Sequence, residues 1–355
     1  MRGTGDPIVG CLLGTAVGDA LGLAYEGMTG ERGARMFPDR GRFHFYPGYG
    51  MVSDDTEHAC FTAQAVIGAK GDPDRFEQQL ARSLRWWLLG LPAGVGSATL
   101  RAGIRLWLGF PPSRSGVVSA GNGPAMRSPI LGVAYGRSRE TLREFVLRST
   151  RITHTDPKAF HGAMAAAVAA HLSAEGTIIE GVEFYRILAE NLNDRSAGEF
   201  LGLIDRACNS AKRGEHVSLF AEAIGSRNGI SGYMYHTAPC VVQAWLKHQR
   251  DYSGGVQEII SAGGDTDTTA AILGGIIGAG VGKAGIPEDL LDRVVEWPRS
   301  TPWMERLGIA LDRSMKEDAQ AAVPRYFSPA IPLRNAVFLL AVLVHGLRRL
   351  LPPYR

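Results

Sequence analysis

Glycine recurs at every fourth residue in two stretches of this chain, Gly10, Gly14, Gly18, Gly22 and Gly274, Gly278, Gly282. Residues four apart share one face of an α-helix, so each stretch presents a strip of bare backbone. A glycine inside a soluble helix costs about 1 kcal/mol relative to alanine. Two such strips make physical sense if both helices are central and another backbone packs closely against each. Asp19 and Lys283 interrupt the neighbouring apolar faces, which argues against a membrane dimer of the G-x-x-x-G kind. The 45 glycines among 355 residues follow no collagen-like period.

The remaining composition is that of a folded soluble protein, with 45% apolar and 21% charged residues. Disordered, coiled-coil and disulfide-miniprotein classes are thereby excluded. A net charge of +3 gives no argument for attraction to nucleic acid or membrane by bulk charge. Cys11, Cys60, Cys208 and Cys240 lie far apart in apolar runs. They read as small core residues, and a reducing, cytoplasmic setting fits. The first residues lack the basic and apolar regions of a secretory signal. The longest apolar run, 336–344, is far shorter than the ~18–20 residues that span a bilayer, so no transmembrane segment is expected.

Periodicity predicts helices over 8–23, 54–70, 73–89, 159–174, 182–192, 198–212, 238–247, 253–263, 268–281 and 287–295. β-Branched alternation is scarce, so the expected class is all-α with few or no strands. Two acid-rich segments stand directly before two of these helices. The first is Ser53-Asp54-Asp55-Thr56, and the second is Gly263-Gly264-Asp265-Thr266-Asp267-Thr268. Helix capping explains one acid in each, and Glu57 at the third position after Asp54 resembles a capping box. Capping leaves the second acid unexplained, since adjacent carboxylates repel and a cation relieves that repulsion. Ser53, Asp54, Asp55, Asp265, Asp267 and Thr268 form an all-oxygen set suited to Mg²⁺ or Mn²⁺ and unsuited to Zn²⁺. Six such ligands with water suffice for two octahedral ions about 3.5–4 Å apart. The phosphate-loop, dinucleotide, zinc-protease and nucleophile-elbow motifs are not matched.

Together with Gly10-Cys11-Leu12-Leu13-Gly14-Thr15-Ala16-Val17-Gly18-Asp19-Ala20-Leu21-Gly22, the two acid segments resemble the ADP-ribosylglycohydrolase family, in family order and over roughly residues 8–300. The resemblance implies a compact, orthogonal multi-helix fold with a dinuclear Mg²⁺ or Mn²⁺ centre on those six residues. It implies hydrolysis of the glycosidic bond between ADP-ribose and an acceptor, releasing ADP-ribose from an ADP-ribosylated side chain or small conjugate. It also assigns a catalytic role to Glu26, which on its own reads as a loop carboxylate. Gly121-Asn122-Gly123-Pro124-Ala125-Met126-Arg127 reads locally as a turn. The family's similar loop holds ADP-ribose, which makes Gly121, Asn122, Gly123 and Met126 substrate-binding candidates. His154 is a further candidate near the nucleotide, with Asp156 a weaker one that also reads as a helix cap before Pro157.

The catalytic domain is expected over 1–302, with 303–355 as a helical extension packed on it. Residues 330–355 read as a buried terminal helix with a basic end that suits its dipole; a dimer contact and a peripheral membrane helix are the alternatives. The sequence sets neither the oligomeric state nor the acceptor.

Overall fold

The computed structural model describes residues 6–316 and 321–350, and the end of the chain expected to be basic therefore falls partly outside the described residues. Among the described residues there are eighteen α-helices and one two-stranded sheet. The all-α expectation holds.

The two glycine-strip helices form the centre. Asp6–Gly22 packs antiparallel on Thr266–Val281. A side chain added at Gly10 would run into the carbonyl of Gly278; one at Gly14 would meet Gly274, one at Gly18 Ala270, and one at Gly22 Thr266. The partner number falls by four as the first rises by four. These glycines are therefore required by backbone-on-backbone contact. Tyr252, itself buried, donates its hydroxyl to the Gly14 carbonyl at 2.6 Å, closing the strip from the side.

Around this pair lie the Ala-rich helix Pro157–Glu175, with Gly280 close against its Ser173, and the helix Thr301–Lys316, which sends Trp303, Met304, Leu307 and Leu311 into the core. The helix Asp54–Ala69 packs alongside. Pro73–Leu89 covers it through Phe76, Leu80, Leu84 and Trp87. Most expected helices recur within a few residues, and 73–89 and 198–212 recur with the same limits. Periodicity missed Ser97–Trp107 and Arg139–Arg151. Both bury a narrow stripe and carry many charged or polar residues.

Two apolar helices are long enough to cross a membrane by length and composition. The most apolar 18-residue stretch of Asp6–Tyr25 is wholly buried in the protein, whereas only 22% of that in Ser328–Leu350 is buried. Counting uninterrupted apolar runs overlooked the second because Arg334, Asn335 and His345 break it. It also corrects the expectation of a buried terminal helix: Ile331–Leu350 buries Arg334, Asn335, Phe338 and His345 and turns its leucines outward.

Candidate active site

Both acid segments open helices, and the central pair brings those openings together. Thr268 Oγ1 donates to Asp55 Oδ2 at 3.1 Å, joining residues 213 positions apart. Ser53 caps its helix by accepting from the Asp55 N–H and donates its own hydroxyl to Asp55 Oδ2 at 3.0 Å. Asp265 makes no side-chain cap; its Oδ2 instead accepts from Asn122 Nδ2 at 2.7 Å. Glu57 does not close a capping box. It turns inward to meet Arg299 and to accept from Trp87 Nε1 at 2.7 Å. Burial alone would raise the Glu57 carboxyl, but Arg299, Arg334 and Trp87 hold it below its ordinary value.

Glu26 follows a short 3₁₀ turn, Leu23–Tyr25, at the end of the first helix. The small sheet pins it in place: Met28 pairs with Gly264 and Thr29 with Gly263, and Gly27 N–H donates to the Gly264 carbonyl at 2.7 Å. Gly263 and Gly264 both adopt positive φ (74° and 87°), where a side chain would be strained and would strike the backbone of Met28 or Ile230. The strand pairing thus sets Glu26 beside Asp265. The Glu26 residue is exposed at its surface, yet its carboxyl is crowded by protein. That crowding and then Asp265 raise its pKa, while Arg349 opposes the rise.

The acids form one electrostatic cluster. Burial, followed by the neighbouring carboxylates, raises Asp54, Asp55 and Asp267 well above the ordinary Asp value. Asp54 feels Asp19 and Glu57 most, Asp55 feels Asp54 and Asp19, and Asp267 feels Glu26 and Asp265. Asp55 Oδ1 and Asp267 Oδ1 are buried without a hydrogen-bond partner among the described residues. An unpaired buried carboxylate oxygen is costly. Among the described residues no three His, Cys, Asp or Glu side chains converge tightly enough to hold an ion by themselves. The all-oxygen chemistry of the set and its two orphaned oxygens are of the kind a hard cation takes.

Sequence reasoning missed Asp19 as part of this site. Wholly buried, it accepts from the Ser53 N–H (2.9 Å) and the Thr56 N–H (3.2 Å), and from Thr56 Oγ1 at 2.5 Å. The first helix thus caps Asp54–Ala69 from across the core. Burial outweighs these bonds and lifts the Asp19 pKa to about 7. The available signal was an acid inside a glycine-strip helix, a place where an unpaired carboxylate would not be tolerated. Also missed was the segment around Gly229 and Gly232. The Asp265 N–H donates to the Ile230 carbonyl at 2.7 Å, and Gly232 lies close against Asp265 Oδ2.

The loop candidates lie at the same edge, in a different manner from that expected. The Asn122 N–H is spent on the Gly232 carbonyl, the Ala125 N–H on the Asn122 carbonyl, and the Gly121 N–H meets Ser119 Oγ. The turn is tied into the fold instead of offering a row of open N–H donors. Met126 is a core residue in the turn Ala125–Arg127. The His154 ring is buried directly beneath Gly121 and Gly123, with Nδ1 2.9 Å from Thr153 Oγ1. Burial and then Arg127 lower its pKa to about 3, so the ring is neutral at physiological pH. Arg127 is fully buried and, among the described residues, has no carboxylate partner. It donates to Ser149 Oγ, the Ser149 carbonyl and Thr153 Oγ1, which fixes the turn holding His154. Asp156 caps Pro157–Glu175 by accepting from the Lys158 N–H at 2.9 Å.

The C-terminal helix closes the other side. Arg334 pairs with Glu296 and donates to the Val52 carbonyl at 2.5 Å, next to Ser53. His345 Nε2 lies 2.9 Å from the Ala24 carbonyl, two residues before Glu26.

The chain is similar to several known proteins. The chain is 30% identical over 288 residues to an uncharacterized protein of Archaeoglobus fulgidus, covering 76% of this chain and 86% of the relative. It is 26% identical over 325 residues to the ADP-ribosyl-[dinitrogen reductase] glycohydrolase of Rhodospirillum rubrum, covering 89% and 95%. Against the human ADP-ribosylhydrolase ARH3 it is 26% identical over 322 residues, covering 79% and 86%. A solved structure titled ADP-ribosylglycohydrolase-related protein complex superposes with a TM-score of 0.61 at 26% identity, covering 89% of this chain and all of the other. The model of the ADP-ribosylglycohydrolase family matches residues 3–321, short of the C-terminal helix. With its two acid segments joined across a glycine-packed helix pair, the chain belongs to the ADP-ribosylglycohydrolase family of glycosyl-bond hydrolases.

Proposed function

We propose that the chain hydrolyses the bond between the anomeric carbon of ADP-ribose and an acceptor, releasing ADP-ribose, and that it does so with two Mg²⁺ or Mn²⁺ ions. The observation that carries this reading is the Thr268–Asp55 contact between two acid segments whose Asp55 Oδ1 and Asp267 Oδ1 are buried and, among the described residues, unpartnered. Ser53, Asp54, Asp55, Asp265, Asp267 and Thr268 would hold the ions. When bound, such ions supply Lewis acidity and lower the pKa of water.

Glu26 stands at the exposed edge of the cluster, where a substrate has access. Its carboxylate takes a proton from water as the water oxygen bonds to the anomeric carbon and the bond to the acceptor breaks with oxocarbenium character; the acceptor leaves with the bonding pair and receives that proton, which returns Glu26 to the carboxylate. Asn122 ties the substrate-side loop to Asp265, so the loop and the acids are held in one frame. The turn 121–123 over His154 forms the wall against which the nucleotide end lies.

The test is a panel of arginine- and serine-linked ADP-ribosyl peptides assayed with Mg²⁺, with Mn²⁺ and with chelator, followed by product mass. Free ADP-ribose formed only with metal is expected. AMP would instead assign a phosphoesterase, and no turnover alongside intact ADP-ribose binding would assign a binding protein. Asp267→Asn should abolish most turnover and lower the metal stoichiometry while the helical signal persists. Glu26→Gln should slow turnover roughly 10²–10⁴-fold with ADP-ribose binding retained; wild-type turnover in that variant would return Glu26 to an ordinary loop carboxylate.

A further inference from the structure

The C-terminal helix is built inside out. Its protein-facing side is polar: Arg334 holds Glu296 and the Val52 carbonyl, Asn335 Nδ2 donates to the Gly90 carbonyl at 2.6 Å, and His345 meets the Ala24 carbonyl. Arg334, Asn335 and His345 are each at most 4% exposed. At 100° per residue, the opposite half of the helix contains no polar side chain. Leu333, Leu340, Leu343, Val344, Leu347 and Leu350 on that half are each more than half exposed. Leu89 and Leu91, which flank the Gly90 that Asn335 grips, are also exposed, at 56% and 81%. The helix ends in Arg348 and Arg349, and Arg32 donates to the Arg349 carbonyl.

A soluble surface helix has the reverse pattern, and an apolar patch of this size marks an interface. Three observations select its occupant. The apolar face spans about half the helix circumference, wider than the narrow seam by which a helix pairs with one partner helix in a coiled coil. Residues 331–350 contain no Asp or Glu, so a second copy of this helix offers nothing to its arginines, whereas anionic headgroups do. The segment Ser328–Leu350 also has the length of a membrane helix, 23 residues, and its most apolar 18-residue stretch has a mean hydropathy of 1.7. Crossing the bilayer is disfavoured because it would strip Arg334 and His345 from their partners and place them in hydrocarbon.

We propose that this face is a docking surface for an anionic lipid bilayer. The helix lies in the plane of the interface, leucines inserted and Arg348 at the headgroups. This inference stands apart from the catalytic reading and concerns a segment outside the residues matched by the family.

The test is co-sedimentation of the full chain with phosphatidylcholine vesicles and with vesicles that also contain phosphatidylglycerol. Binding is expected, stronger on the anionic vesicles. L340E/L347E should weaken it roughly tenfold or more, and R348Q should weaken the anionic component by about fivefold. Sedimentation velocity without lipid, and melting of each variant, accompany the assay. The proposal is overturned if the wild type ignores both vesicles, if it binds both equally, or if L340E/L347E binds undiminished while melting as the wild type does. It is also overturned if the face proves to drive self-association that the same variant abolishes.

Discussion

The first helix and the last are both apolar enough to cross a membrane, yet the most apolar stretch of one is wholly buried and that of the other largely bare. Hydropathy cannot tell them apart; the small and polar residues can. In Asp6–Gly22 every fourth residue is glycine, so the helix can approach a second backbone until carbonyls line the contact. In Ile331–Leu350 the inward residues are Arg334, Asn335 and His345, which reach between elements and bond to carbonyls of Val52, Gly90 and Ala24. One helix is held by close contact along its length and the other by three polar anchors. Both end at the site, the first by leading into Glu26 and the last by gripping the residues beside Ser53 and Glu26.

The largest effect should come from the anchors. Arg334 and Glu296 are an ion pair with side chains only 3% and 4% exposed. Removing one partner of such a pair leaves a buried, uncompensated charge and costs about 3–5 kcal/mol. Arg334→Met should therefore lower the denaturation midpoint sharply, and the double change with Glu296→Met should recover much of the loss. A midpoint equal to wild type for the single variant would show that the helix is held by its few apolar contacts. The glycine contact ranks next. Gly14→Leu or Gly278→Leu places a side chain against a backbone carbonyl that cannot withdraw. The expected cost is about 1–3 kcal/mol, with turnover falling as well, because small displacements at a catalytic centre are expensive. Unchanged melting and rate in both variants would mean that the pair tolerates separation.

Much of this site was legible in the sequence because its elements are local. Ser53-Asp54-Asp55 and Asp265-Thr266-Asp267-Thr268 each concentrate oxygen at a helix start, more than a cap requires. The glycine period likewise predicts a close helix contact without naming the partner. What stayed hidden depends on contacts over long sequence separation. Asp19 looks like a blemish on an apolar helix until Ser53 and Thr56, more than thirty positions away, are seen to donate to it. The N–H groups of the 121–123 turn look free until Gly232 claims one of them. The terminal helix looks buried from its leucines alone. Only the positions of Arg334, Asn335 and His345, and the carbonyls they find, reveal which side faces the protein.

The smallest expected effect sharpens the contrast most. Leu340 and Leu347 are 61% and 64% exposed, so in the lipid-free protein they have little packing to lose. Leu340→Gln and Leu347→Gln should each shift stability by no more than about 0.5 kcal/mol, the usual range for a surface change. Turnover of a soluble substrate should be unchanged, since neither residue touches Val52, Ala24 or the acids. In Asp6–Gly22 the equivalent change cannot be mild: Leu13 is 1% exposed, and Leu13→Gln would place an amide in the core without a partner. Melting curves of the Gln variants in both helices, measured without lipid, therefore separate an apolar face that serves folding from one that does not. A loss of several kcal/mol from Leu340→Gln would place that leucine in the core and remove the basis for an outward-facing apolar surface.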